Sequence, residues 1–176
     1  MGVSKLWNQY RGKYMQKLTL NTNKTLKLTN VLVYQAQLQA ENEVGIDVQL
    51  EQMKTYIKTK GAMQIGPLIQ YVTSDISEHG ELDVHISFLM QCNHEIHAVE
   101  KPYTMKNILR VPNCLYCRYI GAEETLKYAY DKISLYAFEN DIKLKGESYT
   151  VFVSNDEGND AMIADVFMEK DNDKAD

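Results

Sequence analysis

The chain has little that would crosslink it, break it or stiffen it. Its 176 residues include three cysteines, three prolines, nine glycines and a single tryptophan. So few cysteines, and an odd number, argue for reduced thiols and against a disulfide framework. The low glycine and proline content excludes collagen-like and low-complexity chains. No apolar run approaches the ~20 residues that cross a bilayer. Residues 1–24 have neither the hydrophobic stretch nor the small-residue cleavage site of a signal peptide, so a cytoplasmic protein with no membrane span is expected. The Gly-rich phosphate loops GxGxxG and GxxxxGK[ST] are also missing, and no acidic residue precedes Glu41.

What is present is ordinary globular material, 44% hydrophobic and 24% charged, at a length that fits one domain or two small packed halves. The net charge of −5 is unevenly spread. Lys5, Arg11, Lys13, Lys17, Lys24 and Lys27 make the first 40 residues +6, leaving 13 basic and 24 acidic residues in a body of net −11. That balance argues against a nucleic-acid partner and leaves a short basic arm on an acidic body. Tyrosine is the outlier, 12 against 4 phenylalanines. Its flat apolar face and polar tip suit ligand clefts and protein interfaces.

Residues 1–24 form the arm. Leu6, Tyr10, Tyr14 and Leu18 recur every fourth residue with Trp7 beside the first, a helical stripe. Packing on the body is the plainer reading of this stripe. The sharper one is a partner-binding arm using Trp7, Tyr10, Arg11 and Tyr14. A β-branched run predicts a strand centred on 31–34. Ile46, Leu50, Met53 and Ile57 then mark one face of a helix over 46–60, with Gly61 placed for a left-handed cap. Strands follow at 67–73 and 82–90, and 92–103 reads as a connection. The order then repeats: strands at 107–111 and 115–120 broken by Pro112, a helix over 122–139, closing strands at 147–153 and 162–168, and a polar tail at 171–176. TNVLVYQ aligns with PNCLYCR, GPLIQYVTSD with GESYTVFVSND, and LDVHI with ADVFM. This predicts an α+β fold made of duplicated β-α-β-β units, repeat one at about 25–91 and repeat two at about 104–170, within a domain spanning 25–170. Neither unit buries enough surface to stand alone.

In that order, VPNCLYCRYIG, SYTVFVSND and IADVFMEK resemble the strand motifs of the GyrI-like effector-binding domains, which also occur as the ligand-sensing half of AraC- and MerR-type regulators. The resemblance implies an SH2-like repeat pair with pseudo-two-fold symmetry. It also implies an aromatic cleft between the repeats that takes small hydrophobic, often cationic, molecules. A carboxylate of the family's first closing strand falls on Thr150, which has no charge; that of the second falls on Asp165, expected to be the one acid in the cleft. Phe152 and Phe167 follow from neighbouring motif positions, and Tyr71 and Tyr116 are further candidates. Thr150 also argues against the hydrolysis of small electrophiles seen in some members, so the expectation is a non-catalytic binder, with such a hydrolase a second alternative. The chain is similar, too, to GyrI-like proteins encoded beside LXG toxins of type VII secretion, through its overall pattern and the GPLIQYV strand. That similarity implies a protein partner in place of a small molecule.

Other constellations are weaker. Cys92, His94, His97, Cys114 and Cys117 have residue types that suit zinc. Cys114 and Cys117, however, lie in a strand, where positions i and i+3 point to opposite faces. The turn SNDEGND lacks the ligand spacing of a calcium loop. No metal and no cofactor is expected.

Overall fold

The computed structural model describes residues 17–36, 45–76, 78–156 and 161–171. Among these, six strands and two helices run in the order β1 (Lys17–Ala36), α1 (Ile46–Thr59), β2 (Ile69–Ile76), β3 (Leu82–Gln91), β4 (Tyr103–Gly121), α2 (Lys127–Glu139), β5 (Ser148–Asp156) and β6 (Ala161–Glu169). The class is α+β. A single 3₁₀ turn, Glu123–Thr125, leads into α2.

The strands do not form one sheet per unit with a helix on each. They close into one antiparallel barrel in the order β1-β3-β2-β5-β6-β4, which leaves no open edge between them. Two long strands make this possible. β1 begins at Lys17, so residues 17–24, expected to end the arm, are strand, with Leu18 opposite Tyr119 and Leu20 opposite Cys117. β4 runs unbroken through Pro112, where two strands were expected. The pairing of β1 with β4 is irregular on either side of Lys24, between Val111 opposite Leu26 and Cys114 opposite Lys24. Pro112 lies in that irregularity, where its missing N–H removes no regular ladder bond.

Helix α1 ends as its sequence dictates. Gly61 takes φ +76°, its N–H donates to the Lys58 carbonyl, and Ala62 N–H donates to the Ile57 carbonyl, a left-handed cap free of Cβ strain. Asp141 holds the corresponding position after α2, at φ 53°. Other features recur in the same way: Gly66 and Gly146 both have positive φ, as do Asn30 and Asn113.

Three apolar cores result. Met53 and Ile57 of α1 pack on Leu32, Phe88 and Met90. Ala129, Ile133 and Ala137 of α2 pack on Leu115, Cys117, Tyr119, Ala164 and Val166. The third core lies on the other face of the strands and joins Val31, Ile69, Leu89, Val111, Tyr149, Val151 and Phe167. Each fully buried large side chain in these cores contributes roughly 1.5–3 kcal/mol. Because strand residues alternate between faces, the buried apolar strand residues divide between the helix-covered cores and the central one.

Candidate ligand-binding site

The central face carries the aromatic side chains. Strand register places Tyr71 opposite Tyr149, Tyr149 opposite Phe167, and Phe167 opposite Tyr116. Directly opposed residues share a face and touch, so β2, β5, β6 and β4 present four rings in one row. The Tyr71 and Tyr149 rings stack with centroids 4.5 Å apart, and Tyr116 and Phe167 tilt together at 4.9 Å. Tyr149 and Phe167 are buried in the middle; Tyr71 and Tyr116 are half-buried at the ends.

Each end tyrosine donates its hydroxyl to a carboxylate. Tyr116 donates to Asp165 Oδ1 at 2.7 Å. The same carboxylate accepts a two-point bond from Arg118, Nε to Oδ1 and Nη2 to Oδ2, both 2.7 Å. Arg118 and Asp165 are directly opposed in the ladder. The bidentate pair raises the guanidinium pKa above its already high value, first through the hydrogen bond to Asp165 and then through its charge. Burial, then the Asp165 bond, pushes Tyr116 up to about 12.

At the other end Tyr71 donates to Glu147 Oε2 at 2.6 Å. Burial, then Glu147, pushes Tyr71 up to about 12, and the same two causes raise Tyr149 further. Glu147 is half-buried and has no salt-bridge partner among the described residues. Sequence reasoning missed it. The signal was strand alternation: Tyr149 and Val151 share the central face, and two residues back along the same parity is Glu147.

Of the expected site residues, the structure brings Tyr71, Tyr116, Asp165 and Phe167 together. Thr150 and Phe152 do not join them, and that expectation is corrected. Thr150 and Phe152 face α2: the Thr150 and Tyr130 hydroxyls are hydrogen-bonded, and Phe152 packs in the α2 core. Asp165, expected to meet a ligand's charge, is already met by Arg118. Trp7, Tyr10, Arg11 and Tyr14 lie outside the described residues. The five residues with zinc-like chemistry are dispersed. Cys92 sits in the α1 core, Cys117 in the α2 core and Cys114 in the central one, while the His94 ring bonds the Glu95 and Gly61 carbonyl oxygens. Burial raises the pKa of all three thiols, that of Cys114 to about 11. Among the described residues no three His, Cys, Asp or Glu are grouped to hold a metal, and no helix is long and apolar enough to cross a membrane.

No protein-family model matches the chain, and no curated protein matches it in sequence. In structure it is similar to EcmrR, as seen in a cryo-EM structure of the EcmrR–DNA complex in EcmrR-RPo, with a TM-score of 0.54 at 12% identity. The match covers 96% of this chain and 64% of the EcmrR chain, so the chain spans just under two thirds of that protein's length. At that identity the likeness is one of fold.

Proposed function

We propose that this protein is a non-catalytic binding protein for small planar hydrophobic molecules, cations above all, seated against the Tyr71–Tyr149–Phe167–Tyr116 row. One observation carries the reading: the row ends at Glu147, a half-buried carboxylate that accepts one tyrosine hydroxyl and has no salt-bridge partner among the described residues. Tyrosine faces attract a cation by their quadrupole, and a nearby carboxylate lowers the cost of removing it from water. The fold likeness to EcmrR and the sequence resemblance to effector-binding domains support the same reading. Binding without turnover fits the chemistry on this face, since Asp165 is held by Arg118 and Tyr116 and the Cys114 thiol is buried, which raises its pKa.

The test is rhodamine 123, a planar fluorescent cation. It is expected to raise the melting temperature and to show increased fluorescence polarisation on binding. Glu147→Gln is expected to weaken the dye roughly tenfold, the effect of one partly desolvated charge contact. If the dye neither shifts melting nor polarises at millimolar concentration, the reading fails.

A further inference from the structure

The charges around the aromatic row do not balance locally. Arg118 is matched by Asp165, and Lys145 by Glu169 at 3.0 Å. Removing these pairs leaves Glu147 at the Tyr71 end, within the field of Lys145 but not salt-bridged to it. At the Tyr116 end it leaves Lys24, whose ammonium lies 5.8 Å from the centre of the Tyr116 ring. Lys24 sits where the ladder slips: Asn21 is opposite Tyr116, Lys24 is opposite Cys114, and the Asn21 side chain accepts the Asn23 N–H at 3.1 Å. A second ammonium, Lys170, is drawn to the same bulge and donates to the Thr22 carbonyl at 3.1 Å. Neither lysine has a salt-bridge partner among the described residues.

From this arrangement we infer that the face is bipolar and selects amphoteric aromatic molecules, the ligand's cation lying at Glu147 and its anion at Lys24. The inference rests on the binding reading above and narrows it. Glu147 immediately precedes β5 and Lys24 lies on β1, with β6 and β4 between those strands in the barrel order. A carboxylate or sulfonate is the anion that suits an exposed ammonium, because both are compact charges that pair without needing a fixed fork.

A matched dye pair tests this. Rhodamine 110 carries a free carboxylate, and rhodamine 123 is its methyl ester, with the same ring system and cation. The acid is expected to bind about fivefold more tightly than the ester, the upper range for one exposed charge pair. Lys24→Gln, a change at an exposed position, is expected to bring the ratio to about one by removing that pair, while Glu147→Gln weakens both dyes alike. The inference is overturned if the ester binds the wild-type protein as tightly as the acid, or if Lys24→Gln leaves the ratio unchanged. Those results leave the simpler binding reading standing. Absence of binding by both dyes removes that reading and this one together.

Discussion

The two ends of the aromatic row pose one problem and solve it differently. At each, a half-buried tyrosine donates to a carboxylate, Tyr116 to Asp165 and Tyr71 to Glu147. Asp165 is then closed by a guanidinium across the ladder, whereas Glu147 makes no salt bridge among the described residues and feels the charge of Lys145, which is itself paired with Glu169. A closed pair holds the sheet together and has little attraction left for an incoming cation. An open carboxylate contributes less to stability and keeps its charge for something from outside. The acid that looks most like a site residue in sequence, Asp165, is therefore the structural one. The one overlooked, Glu147, is the acid on which the proposed binding rests.

That contrast predicts unequal costs. Arg118→Ala leaves Asp165, whose side chain is only 13% exposed, without its counter-charge. Breaking a fully buried pair costs 3–5 kcal/mol, but water reaches the arginine, so about 2 kcal/mol is expected. Glu147→Gln keeps an acceptor for Tyr71 and should cost under about 0.5 kcal/mol. Urea unfolding of both variants makes the measurement, and equal losses would sink the distinction between closed and open ends.

The next effect separates the two faces of β5. Thr150→Val removes the hydroxyl that meets Tyr130 on α2 and should cost about 1 kcal/mol. Rhodamine 123 affinity should not change, because Thr150 faces the helix. Loss of affinity in a stably folded variant would return Thr150 to the ligand face.

Thr150 also shows where the sequence was legible. Residue period alone located α1, its Gly61 cap and the alternation along β5, since each depends on near neighbours. The same locality misled at Pro112. A proline usually interrupts a strand, and nothing nearby announces that Lys24, far away in the chain, lies across a bulge that tolerates it. Arg118 was invisible as the partner of Asp165 for the same reason: their meeting depends on β4–β6 register, which no local pattern records. Glu147 was missed because motif matching anchored attention on Thr150, a position of opposite parity. The pairing of β1 with β4 and of β4 with β6 is the non-local fact behind the first two; Glu147 was legible from local alternation.

The smallest expected effect tests the two ends through their tyrosines. Tyr71 and Tyr116 are both pushed up to about 12, mostly by burial and secondly by their carboxylates. In the unfolded chain they ionise near 10. The folded state therefore holds these protons longer, so their stabilising contribution is whole below pH 10 and is lost as pH rises from 10 to about 12. Glu147→Gln removes only the lesser cause at Tyr71. Its titration, followed by tyrosinate absorbance, should move part of the way back toward 10 while Tyr116 stays in place. Asp165→Asn should lower Tyr116 further than that, because it removes a carboxylate and also frees the Arg118 charge to favour the phenolate. If Glu147→Gln moves both tyrosines equally, the two ends are coupled through the ring row, and the open and closed carboxylates cannot act independently.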